Sequence, residues 1–270
     1  MIPKIIHYCW FGNNPLPELA KKCITSWKKF LPDYEIKEWN ENNYDIRKIP
    51  YISQAYDAKK FAFVSDYARF DILYQYGGVY FDTDVELIKD FRPIIEKGAF
   101  IGVEKGSRIL LNAGLGIASP ALSPVYAEIL DSYQSENFLY PNGAFNLKTV
   151  VDRVSEIFAK HGYVEKDILQ IVANTIVYPS EFFCPKNLYT GEFCVTANTF
   201  AIHHYEGSWC SDDDKKAIVL HQKIFSIIKI DLLAKSIFYI LRFFQRLKEH
   251  GLINGLVYFF KKYIWYRRIG

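Results

Sequence analysis

Two aspartates separated by one residue, Asp82 and Asp84, follow a short apolar run, Val79-Tyr80-Phe81. If the backbone stays extended there, both carboxylates point to the same side. Carboxylates that close repel unless they share a cation. A hard divalent ion such as Mn²⁺ or Mg²⁺ prefers oxygen ligands and commonly bridges carboxylate to substrate phosphate. The tripeptide alone is more often an exposed acidic turn. Its context reverses that weighting: an apolar strand before it, the pair Gly77-Gly78, and an upstream segment with its own charged pair, Asp66 and Arg69. Three apart on a helix, these two share a face, and both interrupt a run of apolar residues. A structural ion pair and a substrate-binding pair fit that spacing equally well.

A second group of chemically competent residues lies far along the chain, His203-His204-Tyr205-Glu206-Gly207-Ser208-Trp209. Alone, two histidines beside aromatics are more often a packed or surface feature than a ligand set.

The elements that must position these residues are readable. Lys4 to Trp10 reads as a buried first strand, and Phe11 to Pro17 as a turn-rich loop. Leu19 to Phe30 has helical spacing, and Tyr34 to Trp39 alternates like a strand. A long helix is expected over Ser53 to Tyr76, ended by Gly77-Gly78, where a left-handed cap favours glycine. Val79 to Phe81 is then a short strand with Asp82 at its carboxyl end. Further strands are expected at Ala99–Val103, Gly114–Ala118 and Ile176–Pro179, and helices at Val125–Tyr133 and Lys148–Lys160. Strand, helix, strand alternation predicts an α/β domain, whose ligands gather beyond the carboxyl ends of strands.

The chain has 270 residues, enough for one elaborated domain or two small ones. Half the residues are hydrophobic, so a sizeable core is expected rather than disorder. The 20 Tyr and 21 Phe fill such a core and also suit stacking on sugars and bases. A net charge of only +3 argues against a nucleic-acid protein. The charge is uneven: residues 225–270 hold nine Lys and Arg against Asp231 and Glu249, leaving the rest net negative. That segment interleaves Ile, Leu and Phe with its cations and reads as basic, amphipathic helices. We therefore expect a catalytic domain over 1–220 and a helical tail over 221–270. Five cysteines, an odd number with no Cys-x-x-Cys pair, suit a reducing compartment. The first residues lack a signal peptide's apolar stretch, and no run of about 18 apolar residues exists. The expectation is a cytoplasmic protein, peripheral on the inner membrane face through its tail.

The block Ser65-Asp66-Tyr67-Ala68-Arg69-Phe70-Asp71-Ile72-Leu73-Tyr74, with Gly77-Gly78-Val79-Tyr80-Phe81-Asp82-Thr83-Asp84, resembles the Asp-x-Asp sugar-binding region of glycosyltransferase family 32. That family includes initiating mannosyltransferases and capsule-type transferases. The block is also similar to the catalytic domain of the large clostridial glucosylating toxins. Ile2 to Gly12, Cys23 to Trp27 and Leu31 to Glu35 resemble the same family's opening.

The resemblance implies a GT-A type fold with a helical C-terminal extension. It implies a retaining, metal-dependent hexosyltransferase that uses a nucleotide-sugar, a UDP-sugar first, with a glycan or lipid-linked glycan acceptor as in surface polysaccharide synthesis. Asp66 would hold the ribose or donor sugar, and Arg69 sugar or phosphate oxygens. Asp82 would act partly through a Mn²⁺ or Mg²⁺ ion and Asp84 would ligate it directly. Tyr8, Trp10 and Phe11 would hold the base, and Asn112 the donor sugar. A late histidine completes such metal sites, His204 first and His203 second. Ser208 and the donor-only Trp209 indole suit the diphosphate. Tyr140 to Asn146 departs from the family pattern and leaves the acceptor side open. The rivals are a metal-dependent phosphoesterase, which usually needs more ligands, and a non-enzymatic membrane-surface module.

Overall fold

The computed structural model describes residues 1–106, 108–207, 211–257 and 259. The chain divides into two compact units: residues 1–105, 109–185 and 195–209 form the first, and 106–108, 186–194 and 210–270 the second.

The first unit is α/β, as its alternating pattern predicts. It opens with β1 (Ile5–Cys9), α1 (Glu18–Phe30) and β2 (Glu35–Trp39). β1 and β2 run parallel, which the intervening helix makes geometrically natural. α1 carries Glu18 in its first turn and Lys28 and Lys29 in its last, each opposite the matching end of the helix dipole. It buries Ala20, Cys23 and Trp27.

The helix expected over Ser53–Tyr76 is two helices, α2 (Pro50–Asp57) and α3 (Phe61–Tyr76). Between them Lys59 adopts a left-handed backbone, φ 57°. Its N–H bonds to Tyr56 O, and that of Lys60 to Ala55 O. This is the paired-bond stop that glycine usually provides. With lysine in the left-handed position, the sequence hides the break. α3 is buried almost all round, Arg69 and Asp71 included.

Gly77 caps α3 at φ 64°, and Gly78, at φ 107°, opens β3 (Gly78–Tyr80). A Cβ at Gly78 would stand 2.8 Å from Ile5 O and 2.9 Å from the His7 ring, so β3 can lie against β1 only with glycine there.

Next come β4 (Val85–Leu87), α4 (Arg92–Ile95), β5 (Phe100–Lys105), β6 (Ile109–Ser119), α5 (Pro124–Gln134) and α6 (Val150–Lys160). The unit ends with β7 (Gln170–Val172), β8 (Thr175–Tyr178), α7 (Ser180–Phe183) and β9 (Ala201–His203). Seven strands form one mixed sheet, in the order β2-β1-β3-β6-β5-β8-β7. Pairing is parallel at β2-β1-β3 and β5-β8 and antiparallel elsewhere. β4 and β9 form a separate antiparallel ribbon.

Alternation along β3 sends Val79 and Phe81 into one apolar cluster, with Trp27, Phe91 and Phe183, and Tyr80 into another, with Val64, Phe70 and Tyr126. The sheet is therefore covered on both faces.

The second unit contains α8 (Asp212–Ile228) and α9 (Asp231–His250). Ser211 and Asp214 cap α8 reciprocally. The helix runs unbroken through residue 220, the boundary expected between domain and tail. α9 buries Ala234, Phe238, Arg242 and Arg246. Arg242 donates to both Asp213 oxygens at 2.8 Å, and Arg246 closes on the same carboxylate and on Glu249. Among the described residues, no helix is long and apolar enough to cross a membrane.

Candidate active site

Asp82 lies just past the carboxyl end of β3, where the backbone turns into β4. The turn is held from outside by α1: the Trp27 indole donates to Val85 O at 2.7 Å, and Ser26 Oγ accepts the Leu87 N–H at 2.9 Å. Trp27 is fully buried against Phe81 and Tyr8. The apolar face of α1 thus fixes where the two aspartates point.

Arg69 reaches Asp82 with both terminal nitrogens, at 3.2 and 3.3 Å, and Asp66 at 3.0 Å. Its Nε donates to Ser65 O. The Tyr80 hydroxyl donates to Asp82 Oδ1 at 3.0 Å. Gly114 on β6 stands directly against Asp82 Oδ2, and any Cβ there would collide with that oxygen.

Asp84 faces the β4–β9 ribbon. Its Oδ1 is 3.2 Å from His203 Nε2, and its Oδ2 accepts the Glu206 N–H at 3.0 Å. Asp82, Asp84 and His203 offer ligand atoms within 4.8 Å of one another. His203 Nδ1 is buried without a hydrogen-bond partner.

The electrostatics follow from burial against pairing. Burial, helped by Asp82, pushes Asp66 up to about 6 despite Arg69. Burial also raises Asp82, against Arg69 and with the repulsion of Asp84. For Asp84 burial would raise the carboxyl, but the charge and hydrogen bond of His203 outweigh it and hold it down at about 2. Burial would lower His203, yet Asp84 and Asp82 hold it above its ordinary value. Arg69 thus serves Asp66 and Asp82 while His203 serves Asp84, three carboxylates to two cationic groups, and the surplus negative charge suits a divalent cation. Two carboxylates and an imidazole form a donor set that hard and borderline divalent ions accept.

The structure brings Asp66, Arg69, Asp82 and Asp84 together. It differs from expectation at the late histidine: strand alternation turns His203 toward Asp84, while the next residue, His204, pairs with Glu86 at 2.8 Å, beside Lys22. Tyr8 and Phe11, expected to hold a base, are buried core residues instead. The Tyr8 hydroxyl is used on Glu38 at 2.6 Å, and Phe11 packs edge-on to Tyr44. Trp10 is partly exposed, with its indole on Asn14 O. Asn112, on β6, is buried and donates to Glu104 at 2.7 Å. Ser208 and Trp209 lie outside the described residues. Glu104 escaped sequence reasoning, though a lone acid ending the apolar run Phe100-Ile101-Gly102-Val103 was a visible signal.

Residues 17–101 match the family described as the glycosyltransferase sugar-binding region containing the DXD motif. The chain therefore carries that region, as its motif block predicts. Inositol phosphoceramide mannosyltransferase 1 of Schizosaccharomyces pombe is 32% identical over 111 residues, 37% of this chain and 33% of that protein. The match thus spans about a third of that relative's length. An uncharacterized glycosyltransferase of Acanthamoeba polyphaga mimivirus, L373, is 27% identical over 217 residues, 74% of this chain and 82% of its own. Among solved structures, the PaToxG glycosyltransferase superposes with a TM-score of 0.46 at 20% identity, covering 59% of this chain and 69% of that one.

Proposed function

We propose that the protein is a retaining, metal-dependent glycosyltransferase of GT-A type. It breaks the bond between the anomeric carbon and phosphate of a nucleotide-sugar, a UDP-sugar first, and passes the sugar to a glycan or lipid-linked glycan. The observation that carries this reading is the cluster Asp66, Asp82, Asp84 and His203 around Arg69, within and beside a DXD sugar-binding region.

In this reading Asp82, Asp84 and His203 hold a divalent ion, Mn²⁺ or Mg²⁺. When bound, such an ion supplies Lewis-acid neutralisation of the leaving diphosphate. Arg69, held by Asp66 and Ser65, is preorganised to meet charge growing on the departing phosphate, which costs no reorganisation during reaction. Asp66, near the first turn of α6, accepts hydrogen bonds from donor hydroxyls. Asn112 orients the donor sugar. Retention follows from front-face attack, with a leaving phosphate oxygen taking the acceptor proton. No side chain is assigned as a covalent nucleophile.

A phosphoesterase reading is disfavoured. Among the described residues only one group of three acidic or histidine ligands forms, while such enzymes often use two metals.

Hydrolysis of a panel of UDP- and GDP-sugars with Mn²⁺, comparing wild type with Asp84→Ala, tests the proposal. Metal-dependent release of nucleoside diphosphate that disappears in the variant is the expected result. No turnover and no Mn²⁺-dependent nucleotide binding would overturn it.

The second unit, in this reading, rests on an anionic membrane and brings the enzyme to a lipid-linked acceptor. What supports it is the outer face of α9, where Leu233, Ile240 and Phe244 are exposed at helical spacing. Sedimentation with vesicles containing phosphatidylserine, with and without charge-bearing substitutions at Ile240 and Phe244, tests it. Equal binding by both proteins would sink it.

A further inference from the structure

Glu104 lies outside the matched sugar-binding region, yet both sides of the aspartate–histidine cluster meet at it. β5 shifts register against β6 between Ile101 and Gly102. This irregularity lets consecutive inward positions be re-aimed. Val103 packs in the core, and Glu104, on the opposite side and paired in register with Leu110, reaches diagonally to Asn112, which lies opposite Gly102.

From Glu104 one path runs to Asp82. Glu104 Oε2 accepts from Asn112 Nδ2 at 2.7 Å, and Asn112 Oδ1 accepts the Gly114 N–H at 2.7 Å. Gly114 O in turn accepts the Asp82 N–H at 3.4 Å, and its Cα lies against the Asp82 carboxylate.

The other path runs to His203 and Asp84. The Tyr205 hydroxyl approaches the same Glu104 oxygen at 3.4 Å and Cys184 Sγ at 2.8 Å. The Tyr205 ring packs on the His203 ring with centroids 4.2 Å apart, and the next residue, Glu206, gives its N–H to Asp84. Tyr205 holds φ at +57°, a region that bulky side chains rarely adopt. Strain of this kind persists where surrounding contacts fix it, and it clusters at functional sites.

Among the described residues no Lys or Arg pairs with Glu104. Its hydrogen-bond donors, Asn112 and Tyr205, are neutral, and burial raises its pKa against Asn112 and the charge of His203.

We infer that Glu104 is a positioning residue that couples the Asp82 side of the cation site to the His203 side, through Asn112 and Tyr205. The inference rests on the reading of Asp82, Asp84 and His203 as that site. Glu104 itself touches neither donor nor ion. It fixes the separation of the groups that do, in the way hydrogen-bonded outer partners tune metal ligands.

The test is Mn²⁺ binding by the full-length chain in the presence of UDP, followed by electron paramagnetic resonance, alongside thermal melting. Three variants are compared: Glu104→Ala, Glu104→Gln and Tyr205→Phe. Glu104→Ala should weaken Mn²⁺ binding by roughly 10- to 100-fold, the usual range for outer partners. Glu104→Gln keeps an acceptor for Asn112 and Tyr205 and should restore most of the affinity. Tyr205→Phe keeps the ring on His203 and cuts only the second path, so it should lose roughly threefold to tenfold. If Glu104→Ala melts too low to assay, Tyr205→Phe and Glu104→Gln decide. Wild-type affinity in Tyr205→Phe, or in folded Glu104→Ala, would overturn the coupling and leave the cation site standing. A wild type that binds no Mn²⁺ with UDP would overturn both.

Discussion

Two buried arginine–carboxylate clusters occur in this protein, one in each unit, and their charge balance differs. In the second unit Arg242 and Arg246 close on Asp213 and Glu249, as many cations as anions among the described residues. In the first, Arg69 serves Asp66 and Asp82 and His203 serves Asp84, with Glu104 close by, so carboxylates outnumber cations among the described residues. A balanced cluster satisfies itself and can hold two helices together. An unbalanced one leaves buried negative charge that a bound cation would offset, as proposed above. Imbalance, rather than burial or the presence of an ion pair, is what separates a site from a brace.

Changing the unbalanced cluster should therefore cost chemistry, and the balanced one stability. The largest expected effect is Asp84→Ala, which should lower Mn²⁺-dependent donor turnover by about a thousandfold, equivalent to about 4 kcal/mol of lost transition-state stabilisation. Steady-state release of nucleoside diphosphate measures it. A fall below tenfold would contradict the view that this cluster is built for a cation.

Gly114→Ala probes the same cluster without touching a charge. The added methyl must displace the Asp82 carboxylate from Arg69 and Tyr80. Roughly a hundredfold loss of turnover is expected from misplacement on this scale, with some loss of melting temperature from the crowding. The two histidines sharpen the contrast further. His203→Gln should weaken Mn²⁺ binding at least roughly tenfold, whereas His204→Gln, which loses only its contact to Glu86, should stay within about threefold. Calorimetric titration with Mn²⁺ distinguishes them.

On the balanced side, Asp213→Asn leaves Arg242 and Arg246 buried without their shared carboxylate. It should lower stability by about 3 kcal/mol, read by denaturant unfolding of the second unit, with turnover of a soluble donor unchanged.

An effect that appears only on acidification concerns a group outside both clusters. His7 is buried, its Nδ1 accepting from the Trp39 indole at 3.0 Å and its Nε2 paired with Gly77 O at 2.9 Å. Burial, opposed by the Gly77 carbonyl, lowers its pKa to about 4. The unfolded chain then binds this proton more readily than the folded one. The contribution to stability is therefore complete above pH 6.5 and declines as pH falls toward 4, by up to about 3 kcal/mol. A His7→Gln variant should flatten that part of the stability–pH curve.

Much of this was legible in advance because it depends on local pattern. The α/β alternation, the glycine stop after α3 and the pairing of Asp66 with Arg69 are written in consecutive residues. What was not legible depends on the third dimension. His204 was preferred to His203, and only the pairing of β9 with β4 decides which of two adjacent histidines faces Asp84. Tyr8 and Phe11 looked suited to a base because aromatics serve cores and ligands alike, and composition cannot say which. The break at Lys59 was concealed by a side chain that rarely takes that backbone. The inner face of α9 carries two arginines and its outer face leucine, isoleucine and phenylalanine, an inversion visible only once Asp213 is seen beneath it.

The β4–β9 ribbon has a kinetic consequence. It joins residues about 120 positions apart, as the His204–Glu86 contact across 118 positions shows. Closing a loop of that length costs about 4 kcal/mol of chain entropy before any contact rewards it. During synthesis the two aspartates leave the ribosome long before their histidine. The ribbon is thus expected to zip late, and the completed site would then serve as a checkpoint that the rest of the sheet has already formed.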